Sequence, residues 1–301
     1  MSDQAQKLRE MINNLKNRPL VSRSVSEEQE KRRCRVLTIT SGKGGVGKTN
    51  ISVNLALNLS QLGYRVIILD ADFGLANIDI LFGVSPNYTL LDVVNDSKTI
   101  FDIITEGPMN VKFISGGSGL EEMVHLEKQQ LGALIEKIES LDQIADIVII
   151  DTGAGISDNV ISFTLASDEI ILVTTPEPTS IMDAYALIKT VSNKDKEKDI
   201  QLIVNRAESE KEAMMTMKKL SFASENFLGM KLQHLGYLLY DINVVKAIKQ
   251  QEPFMISYPK SNASKQIYEI ACKLMQTDSS KLRKSTGIKA FFRRLVNLDN
   301  A

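Results

Sequence analysis

Gly42-Lys43-Gly44-Gly45-Val46-Gly47-Lys48-Thr49 stands between the apolar run Val36-Leu37-Thr38-Ile39-Thr40 and a helical pattern that begins near Asn50. Gly, four residues, then Gly-Lys-Thr is the spacing of a phosphate-binding loop, and it lies between strand and helix, where that spacing has mechanical meaning. Glycines let the backbone curl until its N–H groups converge on phosphate oxygens. The helix N-terminus adds a partial positive charge. In such a loop Lys48 reaches the β- and γ-phosphates and the Thr49 hydroxyl ligates Mg²⁺. The predicted cradle therefore runs from Gly42 through Gly44, Gly45, Val46 and Gly47 to Lys48, Thr49 and Asn50.

Outward from the loop, the same grammar repeats. Arg65 to Asp70 is a continuous apolar run of the kind buried in a parallel sheet, and it delivers Asp70-Ala71-Asp72 at its carboxyl end. Open α/β sheets bind ligands there. Two carboxylates one residue apart on a strand exit point in different directions, which suits different jobs. Ala145 to Ile150 is another buried-type strand, ending in Asp151-Thr152-Gly153-Ala154-Gly155. An aspartate facing the phosphate loop from a strand end is placed to hold Mg²⁺, and Gly153 and Gly155 free the loop to move with the γ-phosphate.

Further strands are predicted over 36–41, 111–115, 169–174, 200–204 and 232–239. Helices are predicted over 48–62, 121–140, 181–192, 208–227, 242–250 and 263–275, with a short helical pattern within 88–106. Gly116-Gly117-Ser118-Gly119 lacks a following Lys-Thr and reads as a tight turn. The expected fold is α/β: a three-layer, doubly wound sheet of seven or eight mostly parallel strands, with nucleotide over the strand carboxyl ends.

Composition sets outer bounds. A chain of 301 residues with 43% apolar and 24% charged residues suits one large globular domain with appendages. A net charge of −1 argues against a whole-protein nucleic-acid footprint. Cys34 and Cys272 are far apart and show no metal-ligand spacing, so a reducing cytoplasm is the default. The polar N-terminus has no secretory h-region, and no run approaches the roughly 18 to 20 apolar residues of a membrane span.

The two ends of the chain are unlike the middle. Ala5, Leu8, Ile12 and Leu15 recur at helical steps within residues 1–16, and Asn17-Arg18-Pro19 breaks the pattern before a charged, Ser-rich linker. A tethered amphipathic helix is either a packing arm or a partner-binding peptide. At the other end, Ile288, Phe291, Phe292, Leu295 and Leu298 share one face, opposite Lys289, Arg293, Arg294 and Asn297. At about 100° per residue the apolar positions, Val296 included, span an arc of about 160°. Such a basic helix suits the plane of an anionic membrane; packing onto the domain or gripping a partner are the alternatives.

Lys-Gly-Gly-Val-Gly-Lys-Thr, with its early lysine at Lys43, resembles the deviant loop of the MinD/ParA group of dimerising ATPases. The resemblance implies that ATP and ADP bind with Mg²⁺ and that Lys43 crosses a homodimer interface to the partner's nucleotide. It also implies that Asp72 orients the attacking water and joins Thr49 and Asp151 around the metal, that Asp70 supports their geometry, and that Asn205, followed by Arg206, lies against adenine. Asp3-Gln4-Ala5-Gln6-Lys7-Leu8-Arg9 is similar to the Asp-Gln-Ala-x-x-Leu-Arg motif of the flagellar branch, the FlhG/YlxH proteins. There, Asp3, Gln4, Ala5, Leu8 and Arg9 would stimulate the SRP-type GTPase FlhF, and the body would escort flagellar C-ring proteins.

The resulting division is an activator helix and linker over 1–33, an ATPase domain over 34–277 and a membrane-targeting helix over 278–301. The expected location is cytoplasmic, peripheral on the inner face of the cell membrane in the ATP state. A division-site MinD would start almost directly at the first strand. A ParA-type DNA-segregating ATPase would show a basic patch, and no specific nucleic acid is expected here. A silent scaffold would not need Lys48, Asp72 and Asp151 intact.

Overall fold

The structure is a computed structural model that describes residues 34–72, 77–116, 118–120, 122, 126–276 and 286–299. The expectations for residues 1–33, and for the Leu298 side chain, lie outside the described residues.

Eight strands form one sheet: β1 (Arg35–Thr40), β2 (Val66–Ala71), β3 (Thr105–Glu106), β4 (Lys112–Ser115), β5 (Ile147–Thr152), β6 (Glu169–Thr174), β7 (Ile200–Ala207) and β8 (Leu232–Leu239). Their order is β3-β4-β2-β5-β1-β6-β7-β8, and every pairing is parallel except the hairpin β3–β4. All residues of β1, β2, β5 and β6 are buried, as near-continuous apolar strands covered on both faces should be. β1 sits between β5 and β6, where the winding reverses direction. The phosphate loop leaves the sheet at this switch point.

The helices are α1 (Lys48–Gln61), α2 (Ile78–Phe82), α3 (Leu90–Val94), α4 (Lys128–Glu139), α5 (Leu141–Ile144), α6 (Asp158–Ala166), α7 (Pro178–Lys194), α8 (Glu210–Leu228), α9 (Ile242–Gln250), α10 (Phe254–Ser257), α11 (Asn262–Gln276) and α12 (Gly287–Asp299). Alternate strand residues serve the two faces. Leu37, Ile39, Ile68 and Ile149 pack under α1 and α11, whereas Val36, Leu69, Val148 and Ile150 pack on the opposite helices, α12 among them. α7 and α8 cover β6 and β7 on that second face. The outer strand β8 has its edge blunted by α11: Lys273 Nζ donates to the His234 carbonyl at 2.6 Å and Gln266 accepts from the Leu239 N–H at 3.0 Å.

Two local expectations are refined, and one helix is added. The helical pattern within 88–106 yields only α3, followed by turns and β3. The long helix of 121–140 is interrupted at Leu126 and Glu127, and α4 begins at Lys128 after a cap at Glu127, whose N–H donates to the Gln130 side-chain oxygen. α6 had no separate expectation, because Val160, Ile161, Phe163, Leu165 and Ala166 are all buried and leave no one-sided stripe.

At the chain end the helix takes one of the placements its sequence left open, packing onto the domain. α12 is a member of the helical layer, lying against α6, α4 and β1. Its apolar face is inside: Ile288 is 1% exposed, Phe291 0%, Phe292 2%, Leu295 3% and Val296 7%. The physical reason is the slot between α4 and α6, whose floor is Val36, Val148 and Ile150 and whose walls include Ile138 and Phe163. Phe163 and Phe291 stack with centroids 6.1 Å apart. Without α12 this stretch of sheet would lie open.

Candidate nucleotide site

The phosphate loop is shaped by its glycines. A Cβ on Gly42 would sit 2.2 Å from the Asp183 carbonyl, so only glycine lets the loop pass α7. Gly47 has φ +95 and caps α1, and a Cβ there would collide with the Asn205 amide nitrogen at 2.5 Å. That nitrogen donates to the Val46 carbonyl at 2.7 Å, while the Asn205 oxygen accepts from the Arg206 N–H. In this structure Asn205 therefore braces the loop. Arg206 follows it with φ +57, a costly conformation for a side-chain-bearing residue.

Three carboxylates converge below the loop. Asp70 on β2 and Asp151 on β5 stand opposite each other in register, and the Asp72 carboxylate lies against Gly153. Asp70 is held by the N–H groups of Asp72 and Asn77 at 3.1 and 3.3 Å. Burial first, then the charge of Asp151, pushes the Asp70 carboxyl up to about 7. Asp151 is 1% exposed and is also raised, chiefly by burial. The Ser52 hydroxyl, 2.7 Å away, the Lys48 charge and the Thr49 hydroxyl pull it back.

These groups suit Mg²⁺ and nucleotide. Thr49, Asp72 and Asp151 offer hard oxygen donors of the kind Mg²⁺ uses together with substrate phosphates rather than in an all-protein cage. No group of three His, Cys, Asp or Glu side chains suited to a metal occurs among the described residues. Beside the loop the Asn50 Oδ1 is buried without a hydrogen-bond partner, an acceptor that a ligand donor would satisfy. The loop opposite, Gly153 to Ser157, is joined to the phosphate loop's root by the Gly155 N–H, which donates to the Ser41 carbonyl at 2.9 Å.

Lys43 points elsewhere. Its ammonium bonds Glu177 and Thr179 at the start of α7, both at 2.9 Å, and this pairing lowers the Glu177 carboxyl. Ile156 and Met182, 52% and 72% exposed, are apolar residues on the loop after β5 and on α7. Lys48, Thr49, Asp72 and Asp151 thus lie together, with Asp70. Pattern reading missed Ser52, Glu177 and Thr179. Ser52 lies one helical turn past Lys48 and carries no motif, and Glu177 and Thr179 lie more than 130 residues from Lys43 in the chain.

A ParA family model described as NUBPL iron-transfer P-loop NTPase matches residues 33–275. The antiactivator FleN of Pseudomonas aeruginosa is 42% identical over 79% of this chain and 85% of its own length. The flagellum site-determining protein YlxH of Helicobacter pylori is 33% identical over 98% of this chain and 99% of its own. Among solved structures, MinD in the MinC:MinD complex of Aquifex aeolicus superposes with a TM-score of 0.66 at 25% identity, covering 81% of this chain and 97% of that one. With a phosphate loop, an eight-stranded sheet and matches spanning most of its length, the chain belongs to the ParA/MinD family of P-loop NTPases.

Proposed function

We propose that this protein is a Mg²⁺-dependent ATP hydrolase that dimerises with ATP and acts as a switch on flagellar number and placement. The observation that carries the reading is the convergence of Lys48, Thr49, Asp72 and Asp151 under a loop whose glycines leave room for phosphates. The flagellar branch is supported by the Helicobacter relative, whose match leaves only a handful of residues of this chain outside it and so extends into the arm.

Lys48 and the loop N–H groups hold the phosphates, and Thr49 and Asp151 hold the metal. Bound Mg²⁺ would neutralise charge on the β- and γ-phosphate oxygens. Asp72 orients the water that attacks the γ-phosphate. Lys43 leaves Glu177 and Thr179 and reaches the nucleotide of a second copy, where it meets charge developing on the transferred phosphoryl group. Exposed Ile156 and Met182 give the two copies apolar contact on that face.

Membrane binding requires α12 to lift, because the face that would enter lipid is the face now buried. α6 provides a route for coupling. It begins directly after the loop that follows β5 and carries Phe163 against Phe291. Two lifted helices in one dimer then act together on the surface. No helix among the described residues is long and apolar enough to cross a membrane, so attachment is peripheral on this reading. The arm, through Gln4 and Arg9, stimulates FlhF.

Two measurements test this. Sedimentation with vesicles of phosphatidylglycerol and phosphatidylethanolamine should retain Asp72→Ala protein with ATP and release it with ADP; equal retention would sink the membrane switch. GTP turnover by FlhF should rise with a peptide of residues 1–20 and stay basal when Gln4 and Arg9 are alanine.

A further inference from the structure

The chain enters the domain and leaves it for α12 at the same two carboxylates. Asp142 Oδ1 accepts the Cys34 N–H at 3.3 Å and the Ile288 N–H at 3.0 Å. Asp168 accepts the Val36 N–H through Oδ2 at 3.1 Å, and through Oδ1 the Thr286 hydroxyl at 2.6 Å, with Arg294 on the same oxygen at 3.1 Å. Cys34 and Val36 flank Arg35, the first residue of β1. Thr286 and Ile288 flank Gly287, the first residue of α12.

The approach is close on the tail side. Gly287 has φ +82, and a Cβ there would meet Asp142 Oδ2 at 2.7 Å, so the backbone itself is shaped to lie on the carboxylate. One carboxylate oxygen serves both chain segments. The rotamer of each aspartate is fixed once for two sets of donors, so either segment, once bound, lowers the entropic cost of binding the other. Loosening one segment frees the carboxylate to turn toward water and weakens the other in the same measure.

We infer that Asp142 and Asp168 form a clasp that couples the root of the N-terminal segment to the seating of α12. A partner that grips the chain upstream of Cys34 and strains its first hydrogen bonds then favours release of α12. By reciprocity, capture of α12 by lipid loosens the root of the arm. The consequence for localisation rests on the membrane reading above, whereas the coupling itself does not.

The test is hydrogen exchange on the full chain without nucleotide or lipid. Thr286→Val removes a tail-side donor to Asp168 and touches nothing at the start of β1. Exchange of the Ile288 to Leu295 amides should rise by about tenfold, and the Cys34 and Val36 amides should rise with them while Leu37 to Ile39 stay protected. Protection unaltered at Cys34 and Val36 beside a deprotected tail would overturn the coupling, as would an unaltered tail. Cys34→Pro deletes a donor from the other side and should deprotect Ile288 to Leu295; a fully protected tail in the folded variant also overturns it. Added vesicles of phosphatidylglycerol and phosphatidylethanolamine should then retain Cys34→Pro severalfold better than the parent. A deprotected tail without that retention supports the coupling and overturns the membrane reading alone.

Discussion

The carboxyl end of the sheet and its amino end are both dense in charge, yet they are built for opposite behaviour. At the carboxyl end Lys48, Asp70, Asp72 and Asp151 crowd a glycine loop, and their charges are balanced only in part by one another. At the amino end Arg35, 1% exposed, is paired with Glu169 and also reaches the Leu274 carbonyl at 3.2 Å, while Gln201 completes the set. Asp70 and Asp151 at the carboxyl end are left raised, chiefly by burial; groups that only hold the fold are satisfied in place. The difference separates a site from a staple.

The amino end should break hardest. Glu169→Ala leaves the Arg35 guanidinium buried without its counter-charge, a change that typically costs about 3–5 kcal/mol of stability. Urea unfolding should show the loss, with ATP turnover per folded molecule unaltered. A loss below about 1 kcal/mol would mean that water reaches Arg35 and that the contrast between the two ends is false.

α12 lies between these extremes. With the helix seated, Phe291→Ala should cost about 3–5 kcal/mol, because the ring fills a closed slot against Phe163 and Phe292. If the helix lifts instead, the loss stops at its docking free energy. The urea m-value then falls, since part of the apolar surface is exposed before unfolding. At the carboxyl end, Asp72→Ala should slow hydrolysis by about 10²–10³-fold while nucleotide binding, measured by calorimetry, survives. Loss of binding would assign Asp72 to holding the ligand instead of the water.

The same contrast explains what could be foreseen. Gly42, Gly47, Lys48 and Thr49 were legible because a phosphate loop needs those residues at those intervals, and β2 and β5 were legible because both their faces are apolar. α12 was legible as an amphipathic helix but its place was not, since lipid and the slot over Val36 and Val148 are both apolar surroundings for Phe291. α6 was invisible for a related reason: a helix buried on every side has no stripe. Asp142 and Asp168 carry no motif, and their roles arise from where Thr286 and Ile288 return to the sheet. Glu177 lies far from Lys43 in sequence, and only the fold brings the pair together.

The mildest effect is also the one that reads the raised carboxyl of the ligand site. Asp70 is pushed up to about 7 from the ordinary carboxylate range, first by burial and then by Asp151. The native state therefore binds more protons than the unfolded chain between about pH 4 and pH 7. Stability contributed by this group is largest below the unfolded pKa and declines as pH rises to 7, after which it changes no further. Nucleotide-free protein should melt a few degrees higher at pH 5.5 than at pH 7.5, less whatever the other carboxylates lose over that range. Asp70→Asn, which cannot ionise, should remove Asp70's share, so the difference between parent and variant should widen on acidification in the parent's favour. Parallel pH profiles for the two proteins would show that Asp70 is already charged at neutral pH, and that Lys48 and Thr49 balance the three carboxylates without any ligand.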